Sequence, residues 1–186
     1  MSAAAPVGGE SLSILLLGGG PAVGFGVRSH DLGLAGNMAR QLAAASGRTV
    51  SVQPVTDIDM RADAAATALG SVALDGFDAV VTTFGGNDAL CLTTDSSWRR
   101  SLRGFLAGVA DAVTGMPTFV VGIAPITSIV VLPRIVRRRV DERVESLNRA
   151  SRDVCVEFAD ATFVPFVPVV PTGVNLVDDA SSAMYA

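Results

Sequence analysis

Short apolar runs alternate along this chain with longer segments of helical period, and that alternation limits the fold more than any other feature. Ser11–Leu17 is apolar, short, and ends in Gly18-Gly19-Gly20, which marks a buried strand rather than a helix. Val50–Val55, Phe77–Phe84, Thr118–Ile123 and Thr162–Phe166 read as four further strands. Between them lie helical patterns. Leu34, Met38 and Leu42 recur on one line and Ala35, Ala39 and Ala43 on the next, with Gly47 placed to end the helix. Arg61–Leu74 is Ala-rich and helical, followed by a turn at Asp75-Gly76. Asp95–Val113 carries one apolar stripe, Trp98, Leu102, Phe105, Val109 and Val113, and is closed by Gly115 and Pro117. Pro133–Val156 is a long amphipathic helix with Val136, Val140, Val144 and Leu147 facing inward.

Strands that alternate with helices imply a parallel sheet covered on both faces. Right-handed crossovers and five strands favour the order 2-1-3-4-5, a three-layer αβα sandwich of flavodoxin-like type. The fifth strand then lies at an edge, where Pro165 and Pro168 are tolerated. Residues 1–10 are small and are expected to form a flexible tail, leaving 11–186 as one α/β domain.

Composition removes whole classes of chemistry. All 14 basic residues are Arg. A phosphate-loop Lys, a Schiff-base Lys and a Tyr-x-x-x-Lys pair are therefore impossible. His30 is the one His, and Cys91 and Cys155 are the two Cys, so no zinc cluster is expected, nor any cofactor; the thiols should be free. A net charge of −4 argues against nucleic acid as a partner. The N-terminus lacks a signal-peptide pattern, and the apolar stretch Phe119–Leu132 is interrupted by Gly122 and Pro125. A cytoplasmic protein with no membrane partner is expected. The run Arg137, Arg138, Arg139 and Arg143, interleaved with Asp141, Glu142 and Glu145, reads as a solvated helix face or as an anion-binding patch.

In an open parallel sheet, ligands bind beyond the carboxyl ends of the strands, where the strand order reverses. Here that point separates the first and third strands. The loops that follow them are the two most unusual segments of the chain: Gly18-Gly19-Gly20-Pro21-Ala22-Val23-Gly24-Phe25-Gly26 and Gly85-Gly86-Asn87-Asp88. Their glycines permit positive φ and close backbone approach. Backbone N–H groups near Gly20 and the Asn87 amide are candidate oxyanion donors, and Asp88 is a candidate anchor for the loop.

These two segments resemble the SGNH/GDSL hydrolase family, from about residue 12 to residue 179. Ile14–Gly20 followed by Gly24-Phe25-Gly26 is similar to the family's first block, a strand leading into Gly-Asp-Ser, and Gly85–Asp88 is similar to its third block, Gly-x-Asn-Asp. The resemblance implies the αβα sandwich, hydrolysis of carboxylic esters or acyl groups, an ester- or acyl-bearing small molecule as partner, and Gly20, Gly85 and Asn87 around the ligand. Gly18, Gly19, Gly24 and Asp88 would structure the loops. The departures are specific. Gly20 stands at the nucleophilic Ser and Gly19 at the preceding Asp. The family's C-terminal Asp-x-x-His is represented at most by Asp179, a vestigial acid with no His after it, and the second-block Gly has no clear counterpart near Thr56–Ala62. No closing helix follows the last block, so an uncovered sheet face and self-association are expected.

Impaired catalysis is therefore expected. Other readings remain at this point. His30 could act as a base for direct water attack, although the consecutive Ser29-His30-Asp31 cannot converge as a triad. Cys91 lies four residues after Asn87 and would need a base to act as nucleophile. Asp57, Asp59 and Asp63 could hold a hard cation but lack EF-hand spacing. Gly20-x-x-x-Gly24-x-Gly26 with Asp57 or Asp59 mimics a nucleotide-binding loop, while the one Tyr, Tyr185, has no Lys partner. A truncated, inactive gene product is the last alternative.

Overall fold

A computed structural model describes residues 2–3, 11–23, 33–126 and 132–167. The strands are β1 (Ser2–Ala3), β2 (Leu12–Gly18), β3 (Val50–Thr56), β4 (Ala79–Thr83), β5 (Thr118–Val121) and β6 (Ala161–Val164). The helices are α1 (Leu34–Ser46), α2 (Ala62–Leu69), α3 (Gly86–Leu90), α4 (Asp95–Ala112) and α5 (Arg134–Cys155). The sheet runs β1-β3-β2-β4-β5-β6. Strands β2 to β6 are mutually parallel, which is the expected 2-1-3-4-5 order. The added strand comes from the segment expected to be a flexible tail: Ser2 and Ala3 pair antiparallel with Ser51 and Val50.

Strand β2 occupies the centre because its side chains suit burial on both faces. Leu15 and Leu17 join Val80, Leu102, Phe105, Val120 and Leu147 on one side, under α2, α4 and α5. Ile14 and Leu16 join Val50, Val52 and the stripe Ala35, Ala39 and Ala43 of α1 on the other. Successive residues of a strand point to opposite faces, so one apolar run serves both layers. Of the two stripes on α1, the small one faces the sheet, which lets the helix approach closely. Gly47 ends α1 in the left-handed conformation, φ +68, with its N–H donating to the Ala43 carbonyl. On the α1 side, Phe119 and Val121 of β5 are half-buried and Thr162 and Val164 of β6 are exposed.

On α5, Val136, expected to face inward, is exposed, because the first turns of the helix run beyond the sheet. Two helices differ from the sequence expectation in extent. α2 stops at Leu69 rather than Leu74. Gly70 is a poor helix former, and the Ser71 hydroxyl donates to the Ala68 carbonyl, which replaces the next helical turn. A short 3-10 turn then spans Leu74–Gly76. α3 was expected as loop; five residues of high turn content are too few to show a helical period. Thr94 caps α4, its hydroxyl accepting from the Ser97 N–H; of the expected stripe Trp98, Leu102, Phe105 and Val109 are buried, Leu106 is added, and Val113 lies half-buried just past the helix end. The lone Trp98 is fully buried. Its Nε1 donates to the Ser151 hydroxyl at 3.0 Å, and Ser151 in turn donates to the Leu147 carbonyl. β6 ends where Pro165 begins.

Leu102 lies wholly inside the layer between α4 and the sheet. Leu102→Ala should lower unfolding stability by about 2–5 kcal/mol, read from the midpoint of a urea titration. A change below about 1 kcal/mol would mean this layer is not close-packed.

Candidate functional site

The carboxyl ends of β3, β2 and β4 lie side by side, with Gly18 in register with Thr56 on one flank and Thr83 on the other. This is the reversal point of the sheet. The glycines there differ in what holds them. A Cβ on Gly18 would fall 2.1 Å from Thr83 Oγ1, and one on Gly19 would fall 2.9 Å from the Asp57 carbonyl. Both are required by close approach of neighbouring chain. Gly85 is required twice over: its φ is +114, and a Cβ would lie 2.8 Å from the Ile123 side chain and 2.9 Å from the Trp98 ring. Gly20 is a different case. Its φ is +50, and a Cβ there would meet no described residue within 4 Å. It opens a 3-10 turn, Gly20–Val23.

Asn87 and Asp88 tie this loop to the one after β3. Asn87 Nδ2 donates to the Ile58 carbonyl at 2.8 Å and to the Met60 carbonyl at 3.2 Å. An amide nitrogen has two hydrogens, and both are used. Asp88 is 1% exposed. Its Oδ2 accepts from the Ala62 N–H at 3.0 Å, where α2 begins, and its Oδ1 accepts from the Thr93 hydroxyl at 3.2 Å. Arg61 donates to the Thr93 oxygen at 3.3 Å, while its Nε stands 3.7 Å from Asp88 Oδ1 with no hydrogen bond of its own. Burial raises the Asp88 carboxyl above its usual value, and the bonds from Ala62 and Thr93 and the nearby Arg61 charge oppose that rise. Asp88 thus ties this loop to the start of α2 and to Thr93.

Gly18, Gly19, Gly20, Gly85, Asn87 and Asp88 are brought together at one end of the sheet. Gly24, Ser29, His30, Asp31, Asp179 and Tyr185 lie outside the described residues. Cys91 sits at the end of α3, exposed, and Cys155 is buried; both are free thiols, and burial pushes Cys155 up to about 11. Asp57 accepts from the Asp59 N–H and Asp63 from the Ala64 N–H, so both carboxylates serve local turns. Among the described residues no three His, Cys, Asp or Glu side chains gather as a metal set. No helix among them is long and apolar enough to cross a membrane. Nothing in the sequence singles out Thr83, whose Oγ1 is buried beside Gly18 without a hydrogen-bond partner among the described residues. Nor does any residue pattern mark the Ile58 and Met60 carbonyls, because any residue supplies a carbonyl.

Asp88→Ala strands the Ala62 N–H and the Thr93 hydroxyl and should cost about 1–3 kcal/mol. That corresponds to a fall in Tm of several degrees for a domain of this size. The raised carboxyl sets a sign for pH. Its contribution is complete below the ordinary value of 3.8 and is lost as pH rises through the higher folded value. Asp88→Asn should therefore gain in Tm relative to the unaltered protein between pH 4 and pH 7. A constant difference across that range would contradict the desolvation argument.

Comparison with known proteins places this geometry. The model of the GDSL-like lipase/acylhydrolase family matches residues 16–183. A search of curated proteins found no significant sequence match. Among solved structures, the chain is similar to AlinE4, described as an SGNH-hydrolase family esterase, at 16% identity, with a TM-score of 0.64 and 95% of each chain covered. TesA matches at 17% identity with a TM-score of 0.61, covering 78% of this chain and 73% of that one. A lipase/acylhydrolase from Enterococcus faecalis matches at 18% identity with a TM-score of 0.56, covering 77% and 72%. At these identities the structures testify to the fold alone, whereas the family model spans nearly the whole chain. With its strand order, its reversal-point loops and this match in agreement, the chain belongs to the GDSL-like lipase/acylhydrolase family.

Proposed function

We propose that this chain binds an acyl- or ester-bearing small molecule at the end of β2 and β4 and has lost the covalent serine chemistry its family membership would imply. The observation that carries the reading is Gly20. By resemblance to the family's first block it stands where that block carries its nucleophile; it has no side chain, and no described residue lies within 4 Å of where a Cβ would be. An acyl-enzyme needs an oxygen or sulfur at that point. The Asn87 amide adds support. A developing oxyanion would have to draw its hydrogens from the Ile58 or Met60 carbonyl, which reduces the preorganisation on which such sites depend.

The core beneath Gly85 is aromatic and aliphatic: a Cβ on Gly85 would meet Ile123 and Trp98, both buried, and Phe84 meets Trp98 edge-on at 6.0 Å. Ligand sites hold acyl groups by burial of apolar surface, with a few polar atoms setting orientation.

The two halves of this reading are tested separately. Purified protein should hydrolyse p-nitrophenyl acetate no faster than buffer, both unaltered and as Asn87→Ala, and a fluorophosphonate should leave its intact mass unchanged. A mass shift, or turnover that falls in Asn87→Ala, would overturn the loss of catalysis. Short-chain esters should produce a saturable change in the emission of Trp98, the chain's one Trp. A flat titration to millimolar ester would overturn the binding half.

A further inference from the structure

The first turns of α5 form an arm exposed on every residue from Arg134 to Arg139, with no described element packed over it. Asn148 marks the level of the sheet edge, since its side chain exchanges hydrogen bonds with both the N–H and the carbonyl of Ile123, just beyond β5. At about 1.5 Å per residue, Arg134 lies on the order of 20 Å above that level. The arm rises on the carboxyl side of the sheet, the side on which Gly20 and Asn87 lie.

Its chemistry opposes its position. A helix N-terminus favours acids, but α5 has none in its first turn and no side-chain cap, and it carries Arg134, Arg137, Arg138 and Arg139 instead. Arg138 is paired with Glu142 at 2.8 Å, and Arg143 with Asp95 at 2.7 Å. Arg134, Arg137 and Arg139 form no ion pair among the described residues. Amid these charges Ile135 is 79% exposed and Leu92, across an open groove of about 600 Å³, is 43% exposed. Solvated helix faces laced with ion pairs have no use for a bare Ile at their tip. Unpaired guanidiniums around exposed aliphatic side chains match one surface, in which anions and hydrocarbon lie within a few ångströms of each other.

We propose that the α5 arm docks on a lipid bilayer bearing anionic headgroups. Arg134, Arg137 and Arg139 meet the headgroups, and Ile135 and Leu92 enter the boundary with the acyl chains. This is association with a surface, not a span, and it stands whether or not the Gly20 site binds an ester. The chain's net charge of −4 does not oppose it, because charges farther than roughly 8 Å from the surface are screened at physiological salt. Docking in this way turns the carboxyl side of the sheet toward the membrane.

Flotation of the full chain with vesicles tests the proposal. Vesicles containing phosphatidylglycerol should carry the protein at least tenfold more strongly than pure phosphatidylcholine. The triple variant Arg134→Gln, Arg137→Gln and Arg139→Gln should lose about 100-fold, at about fivefold for each Arg. It should remain folded, since the charges removed oppose the helix dipole. Ile135→Ser should weaken binding several-fold at low and physiological salt alike, and Arg100→Gln, an exposed change on α4, should leave it unaltered. Equal binding to both vesicle types would overturn the proposal, as would a triple variant that floats like the unaltered protein. So would displacement by 10 mM inorganic phosphate beyond that by sodium chloride of equal ionic strength, which would assign the arginines to a small soluble anion.

Discussion

Ile14, Leu15, Leu16 and Leu17 are all removed from water, two on each side of β2, and the other layers are arranged around that burial. A strand apolar on both faces can sit only in the middle of a covered sheet. Its place in the middle puts β3 on one flank and β4 on the other, and right-handed connections then send α1 to one face and α2 and α4 to the opposite one. Four buried aliphatic side chains contribute on the order of 1.5–3 kcal/mol each.

That placement makes the site. Because β2 lies where the order reverses, the chain leaving it and the chain leaving β4 diverge, and a crevice opens between them. The walls are then set by close contacts: Gly18 against Thr83, Gly19 against the Asp57 carbonyl, Gly85 under Ile123 and Trp98. Asn87 and Asp88 join the segment after β4 to the connection between β3 and α2, so these two segments are tied together. Among the described residues the polar side chains here hold the backbone in place, and no described residue comes within 4 Å of where a Gly20 Cβ would stand. Both features support the proposed reading of a site that receives a ligand.

The α5 arm presents the opposite balance. Within the sheet, side chains and surroundings agree; on the arm, charge and helix dipole conflict and an aliphatic side chain stands in water. Natural sequences are locally consistent except where something else is served, so a conflict on an exposed element adjacent to the site directs attention to what the arm meets.

Much of this was legible in the residues because it rests on periodicity. The run ending at Gly18 predicts a buried strand, the Trp98 to Val109 stripe predicts α4, and alternation predicts the 2-1-3-4-5 order. The glycine-rich loops locate the crevice, and Gly85–Asp88 with Gly18–Gly20 indicates the family. What the sequence could not show depends on contacts between distant segments. Nothing in the residues around Asn87 says that its amide donates to Ile58 and Met60 rather than into the crevice, since those acceptors are backbone carbonyls brought there by folding. The pairing of Ser2–Ala3 with β3 and the early end of α2 likewise depend on hydrogen bonds that carry no compositional mark. The Arg run was visible from the start as either a solvated face or an anion patch. Only the tertiary structure shows α5 extending beyond the sheet with Ile135 bare, because exposure is a property of what packs nearby, and a sequence lists neighbours along the chain but not across it.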